Sequence, residues 1–325
     1  MTTYALRRIA WTVPVLFVVV TLLFCMMQAI GGDPLRPGKL QGFSETQGWV
    51  KRGDPKPESI TANQRRSLGL DRPWYERYGS FLRSVATFDF GMTYTFRQRT
   101  VNEVIRKQAP ISAELGMLAL AWAIVIGGSL GVAAALRAGT ALDGGTRLFA
   151  SLAAALPAFL VGALAIQVFA VKLGYVPTSG WDGWRAKLLP SFVLGLVPAA
   201  YIARMLRAGM LETLGREHVA AARAKGLRRH RILSMHVVPS AVVPLLAALG
   251  PLIGYLVTGS FVIEHVFAIP GIGRYFVAAV LARDYPLVLG LTIVLTFAIV
   301  VANLVVDLVQ AAIDPRVRER VVLAG

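Results

Sequence analysis

The stretch Glu217-His-Val-Ala-Ala-Ala-Arg-Ala-Lys-Gly226 lies in a basic segment wedged between two long apolar runs, Leu188–Ala203 and Ala241–Ile263. Its alanines, Ala220, Ala221, Ala222 and Ala224, favour helix and leave a flat face. Glu217 suits the N-terminal end of such a helix and Lys225 the C-terminal end, each opposing the helix dipole. Gly226 is the residue expected just past the helix, where the chain must turn with φ > 0. A chain of apolar spans has little reason to build a helix of small side chains in an aqueous loop unless something docks there. We read it as a docking helix rather than a catalytic one.

Working outward, the chain of 325 residues is 55% apolar, with a mean hydropathy of +0.59. That composition is well above a soluble domain and predicts a polytopic α-helical membrane protein. Six apolar runs stand out: Ile9–Ile30, Leu115–Leu136, Leu148–Val171, Leu188–Ala203, Ala241–Ile263 and Leu287–Val306. None carries Asp, Glu, Lys, Arg or His, so the ionisable mid-membrane sites that ion-coupled carriers use are missing from them. The fourth run contains Pro190 and Pro198, which leaves its ends the least defined. The first lacks a small-x-small cleavage site and reads as a retained signal anchor.

The net charge of +16 does not indicate nucleic acid, because the cations flank apolar runs instead of forming one stripe. Arg7 and Arg8, Arg137 and Arg147, the cluster from Arg204 to Arg231, and Arg316, Arg318 and Arg320 all fall on one face. The positive-inside rule places that face, and both termini, in the cytoplasm. The long segment Gly31–Pro110 is also basic, but loops of that length carry little weight under the rule. Within it, Pro37–Pro57 reads as irregular. Ser59–Ser84 turns helical, with Trp74, Tyr78, Phe81 and Leu82 at helical spacing, and Phe88-Asp-Phe-Gly-Met92 reads as a turn. After the fifth run, Pro270-Gly-Ile-Gly273 and Tyr275–Leu281 predict a re-entrant or surface helix following a tight turn. The domains expected are 1–30 (anchor), 31–110 (outer segment), 111–315 (a core holding the loop 204–240 and the outer helix 264–286) and 316–325 (a tail).

Cys25 stands alone, which excludes an internal disulfide or a cysteine-rich metal site. His218, His230, His236 and His265 have no ligand-pair spacing and read as surface or packing residues. No Gly-x-x-x-x-Gly-Lys-Ser/Thr loop occurs, so the chain should not hydrolyse ATP itself. Gly127-Gly-Ser-Leu-Gly131 and Gly250-Pro-Leu-Ile-Gly254 offer small faces for close helix packing. Trp181 and Trp184 suit the outer interface or peptide contact. Glu264 and Asp284 flank the outer helix, where they line a substrate entrance, meet a partner or pair with Arg274 or Arg283.

The docking loop resembles that of binding-protein-dependent ATP-binding-cassette importer permeases. Their pattern is Glu-Ala-Ala, three residues, Gly, nine residues, Ile, one residue, Leu-Pro. Ala221, Ala222, Gly226 and Pro239 match it, while Ala220, His236 and Val238 stand at its Glu, Ile and Leu positions. Ala221-Ala-Arg-Ala-Lys-Gly-Leu227 with His236 and Pro244 is similar to the peptide-permease branch. The resemblance extends in order through Gly32-Asp-Pro34, Leu68-Gly-Leu-Asp-Arg-Pro73, Asp89-Phe-Gly91, Gly259-Ser-Phe-Val-Ile-Glu264, Pro270-Gly-Ile-Gly273, Arg283-Asp-Tyr-Pro286 and Asp314-Pro-Arg-Val-Arg318. The whole looks like the B-type permease subunit of an oligopeptide/dipeptide importer, with Tyr175–Trp184 leaning towards the oligopeptide branch.

That resemblance implies an all-α membrane protein with six transmembrane helices in the type I importer permease fold. It implies a second permease, two ATP-binding subunits that hold ATP and magnesium, and an extracytoplasmic peptide-binding protein. No cofactor is implied for this chain. Glu217, Ala221, Ala222, Arg223, Lys225 and Gly226 would dock on an ATPase in the cytoplasm, and a bulky charge at Ala222 would uncouple hydrolysis from uptake. Related permeases carry nickel chelates, glutathione or peptide-like antibiotics, which keeps those cargoes open. An ATP-independent channel or secondary carrier is the rival class.

Overall fold

A computed structural model describes residues 13–26, 72–93, 99–282 and 284–313. The expectations for Arg7 and Arg8, Pro37–Pro57 and the tail 316–325 lie outside the described residues, as does the start of the Ser59–Ser84 helical pattern.

Helices account for nearly all of the described chain. In order they are α1 (Val13–Met26), α2 (Trp74–Thr87), α3 (Val101–Leu136), α4 (Ala141–Ala155), α5 (Ala158–Ala165, running on as a π-helical segment to Lys172), α6 (Trp184–Leu214), α7 (Glu217–Ala224), α8 (Arg229–Ile232), α9 (Val238–Val266), α10 (Ile272–Ala282) and α11 (Tyr285–Ile313). Stretches of α3, α6, α9 and α11 are long and apolar enough to cross a membrane, and the bent pair α4–α5 counts as a fifth span. Each of the six apolar runs therefore falls on helix, the first only over its described part, α1.

The helices outrun the apolar runs that predicted them. α3 has 36 residues, about 54 Å at 1.5 Å per residue, against a hydrocarbon layer of about 30 Å. It starts at Val101, where the Thr100 side chain accepts the Glu103 amide at 3.1 Å as an N-cap. The boundary drawn at residue 110 thus falls inside a continuous helix, which carries Pro110 in its interior. The third run departs from expectation in the other direction. It breaks at Leu156–Pro157, and the two halves meet at 104°. Leu156 is extended, with φ −84° and ψ 129°, as a residue before proline prefers, and Pro157 brings no amide to continue the ladder.

α3 and α6 form the centre. Gly127 and Gly131 lie against Ala199 and Ala203, and Gly195 lies against Ala119. A Cβ placed on Gly127 would overlap the Ala199 carbonyl, and one on Gly131 would stand 2.9 Å from the Ala203 carbonyl. The small-residue face thus serves backbone approach between two spans. Gly127→Leu is expected to overpack this crossing by about 1–3 kcal/mol. It should lower the unfolding midpoint of the purified protein in detergent, and an unchanged midpoint would refute the crossing.

At the end of the bundle far from α7, Val101, Val104, Ile272, Tyr275, Leu287 and Leu291 share a core with Phe90 and Val20. α10, expected as a surface or re-entrant helix, is packed into this core, with Ile272, Tyr275, Ala278, Ala279 and Ala282 buried. α2 lies against α1, Tyr78 contacting the Thr21 hydroxyl at 2.7 Å and the Phe24 ring at 5.1 Å. The turn expected at Phe88–Met92 is present: Phe88 caps α2 at φ 52°, Gly91 has φ 73°, and the Asn102 amide holds the Phe88 carbonyl at 2.5 Å.

Candidate functional site

α6 ends at Leu214, and Gly215 and Arg216 turn the chain into α7. Arg216 is extended at φ −79°, ψ 149° and supplies no side-chain cap. Glu217 is therefore the first-turn acid that opposes the dipole there. At the other end Gly226 takes φ 77°, the conformation the glycine was expected to provide. Its amide reaches the Arg223 carbonyl at 2.9 Å, and the Leu227 amide reaches the Ala222 carbonyl at 3.3 Å, a Schellman closure. Nothing lies within 4 Å of a Cβ built on Gly226, so backbone angle alone demands glycine. Gly226→Val is expected to cost at least about 1–2 kcal/mol from left-handed strain and to lower uptake. Wild-type stability together with wild-type uptake would remove that reading.

α7 has two faces. Val219 and Ala222 point inward, 0% and 6% exposed, into a core with Leu206, Met210, Ile232 and Val237. Glu217, Ala221, Arg223, Lys225 and Gly226 are exposed. The expectation that Ala222 lies on the docking face is corrected: it seats the helix on the bundle, and Ala221 takes the outward position. Four alanines look alike in sequence, and only the position of Val219 on the helix indicates which side is packed.

A charged clasp that the sequence reading missed stands above this seat. Arg207, about two turns before the end of α6, grips Asp143 on α4 bidentately, at 2.5 Å from Nε and 2.9 Å from Nη2. Asp143 is 1% exposed; it also accepts the Gly139 amide at 3.0 Å and has Arg147 at 3.7 Å. The bent span is thereby tied to the helix that leads into α7.

The remaining predicted residues lie at the opposite end. Trp181, read as interfacial or recognising peptide, is buried; its indole donates to Glu114 on α3 at 3.0 Å, and Lys187 reaches the same carboxylate at 2.5 Å. Trp184 is exposed, beside the Arg185 guanidinium. Glu264 is fully buried. It accepts the Ser112 hydroxyl at 2.7 Å and the Arg274 backbone amide at 3.1 Å, while Ser112 accepts the Ile272 amide at 2.8 Å. A Cβ on Gly271 would stand 2.5 Å from both the Glu264 carboxylate and the Ser112 hydroxyl, which explains the glycine in Pro270-Gly-Ile-Gly273. Asp284 is also fully buried and accepts the Leu287 amide at 3.3 Å at the start of α11. Glu264 thus holds the start of α10, and Asp284, whose own amide reaches the Ala279 carbonyl at 2.9 Å, joins the end of α10 to the start of α11; neither presents a surface in this conformation. Ser112, Glu114 and Lys187 carried no local sequence signal. Among the described residues, no three His, Cys, Asp or Glu side chains converge in a manner suited to a metal ion.

Comparison with known proteins follows the same outline. The model of the family described as binding-protein-dependent transport system inner membrane component matches residues 127–319. The dipeptide transport system permease protein DppB of Bacillus subtilis is 35% identical over 318 residues, which is 98% of each chain. The oligopeptide transport system permease protein OppB of Salmonella typhimurium is 36% identical over 317 residues, covering 97% of this chain and 99% of that one. Solved structures of the MetNI methionine ABC transporter in inward-facing conformations share the fold. Two crystal forms give TM-scores of 0.50 and 0.51 at 18% and 19% identity, over 65% of this chain and 96% of theirs.

Proposed function

This chain belongs to the family of binding-protein-dependent transport system inner membrane components, and from that premise we propose that it conducts peptides inward through the membrane under the drive of separate ATPases. It is a multi-pass inner-membrane permease subunit with the all-α fold of type I ABC importers, and it is a transporter component rather than an enzyme. Such a subunit works with ATP-binding and substrate-binding subunits. The assembly proposed is one second permease, two ATPases holding ATP and magnesium, and an extracytoplasmic binding protein, with both termini of this chain in the cytoplasm. Peptide cargo is supported by the names of the relatives that match nearly the whole chain, a dipeptide and an oligopeptide permease.

The observation that carries the mechanism is the two-faced α7. Its outward face, with Glu217, Ala221 and Lys225, docks in an ATPase groove. Its inward face, Val219 and Ala222, rests on α3, α6 and α9. Closure of the ATPase dimer then displaces α7 as a rigid unit, and the bundle follows because its core cannot deform continuously. Asp143–Arg207 passes the same displacement to α4 and the bent span. Glu264 and Asp284 keep α10 fixed at the far end, where Trp184 stands at the substrate entrance.

The test is purification of the tagged chain from native membranes with identification of every co-purifying subunit and of the ligand on the binding protein. A second permease, ATPases and a binder loaded with peptide are expected. A binder loaded with a metal chelate would overturn the cargo, and recovery of the chain alone would overturn the assembly.

A further inference from the structure

Beside the C-terminal end of α7, where α3 and α6 end, lies a cavity of about 390 Å³, within the size range of small-ligand sites, roughly 300–1,000 Å³. Leu136, Leu214, Leu227, Ile232 and Leu233 supply apolar wall, and two cations, Arg223 and Arg229, line it. The side chains of neither arginine make an ion pair or hydrogen bond among the described residues. This contrasts with their neighbours: Arg207 is bound by Asp143 and Arg216 by Glu212. The acids of the loop are thus used up or, like Glu217, placed at the far end of α7, and the cavity faces an uncompensated positive charge from which Arg228 and Arg231 are not far along the chain.

Its level in the membrane is set by α3. Leu136 is both the last residue of the apolar run and a wall of the cavity, and Arg137 follows it. Acyl chains end and headgroups begin at such a boundary. A ligand that suits apolar wall on one side and two guanidinium groups on the other is an amphiphile with a phosphate at its head. Arginine matches phosphate as a planar fork, and anionic lipids populate the cytoplasmic leaflet, where basic pockets between spans hold their headgroups.

We infer that this cavity binds the headgroup of an anionic phospholipid, of which phosphatidylglycerol is the probe, and that the bound lipid forms part of the seat of α7. The inference rests on the cytoplasmic placement of the α7 loop given above. An acidic side chain from an ATPase is the competing occupant. It is disfavoured because Leu136 and Leu214, the ends of two spans, wall the cavity, which sets it against the bundle rather than in front of the outward-facing Ala221.

The experiment uses the intact complex in phosphatidylcholine nanodiscs carrying a trace of photoactivatable phosphatidylglycerol, or of the phosphatidylcholine analogue as control, with labelled peptides mapped by mass spectrometry. Labelling concentrated in 214–233 by the anionic probe alone is expected. It should fall about fivefold in Arg229→Gln, the worth of one cation at a charged surface, and return in Arg229→Lys. Equal labelling by both probes, no labelling of 214–233, or no change in Arg229→Gln would overturn the site. Competition by inorganic phosphate as effective as by the lipid would make it a simple anion site and overturn the lipid. Labelling that emerges only after the ATPases are stripped away would assign the cavity to the ATPase interface. ATPase retention is scored on the same samples, so loss of docking is seen separately from loss of lipid.

Discussion

Ala221→Glu is expected to weaken ATPase docking about a hundredfold and to stop uptake, while membrane abundance of the chain stays at the wild-type level. Ala221 is exposed on the outward face of α7 and touches none of the core beneath it, so folding has no stake in the substitution. At the proposed interface the carboxylate would be buried without a partner. An unpaired interfacial charge costs several kcal/mol, and each 1.4 kcal/mol is about tenfold in affinity. Ala222→Glu provides the contrast. Its carboxylate would enter a core of Val219, Ile232 and Val237, so abundance should fall together with uptake. Ala220→Glu, which restores the acid of the family pattern at an exposed position, should be tolerated. Abundance, ATPase retention and uptake of labelled peptide are measured on all three. Normal uptake by Ala221→Glu would end the docking assignment, and loss of abundance in that variant would show that the outward face is also structural.

The contrast between neighbouring alanines shows where sequence stops informing. Hydrophobic length is a strong signal because a span must be apolar throughout, and the described part of each of the six runs falls on helix, the third as two helices. The turn at Gly226 was equally legible, since one residue type tolerates φ 77° without penalty. The break at Pro157 was not: apolarity runs unbroken through Leu156 and Pro157, and proline kinks some membrane helices while ending others. Helix rotation was illegible at α7 because alanine suits both the packed side and the docked side. Glu264 and Trp181 were misplaced for a related reason. Their partners, Ser112 and Glu114, lie 152 and 67 residues away, and a polar residue near a span end reads as surface until the group that satisfies it is known. What carries force between elements is thus set by contacts between residues far apart in the chain.

Breaking the clasp is the second large effect expected. Asp143→Ala leaves Arg207, at 24% side-chain exposure, without the carboxylate that both of its nitrogens grip, and removes the acceptor of the Gly139 amide. Removing one member of a buried, hydrogen-bonded pair is much worse than never having had the pair, because the surviving charge stays desolvated. Abundance of the complex in the membrane should drop several-fold, as destabilised proteins are cleared. Complexes that survive should hydrolyse ATP with poor uptake, because α4 no longer follows α6. Arg207→Lys should be intermediate: one ammonium cannot replace the planar two-nitrogen fork. The exchange Asp143→Arg with Arg207→Asp should recover only part of the loss. The ion pair returns in reversed sense, but an arginine at 143 cannot accept the Gly139 amide. Uptake per complex and ATP turnover per complex, measured on the same reconstituted samples, separate the two roles. If surviving Asp143→Ala complexes keep the wild-type ratio of uptake to hydrolysis, the pair only holds the fold. A fallen ratio that the exchange partly restores would make it a link through which displacement of α7 reaches the bent span.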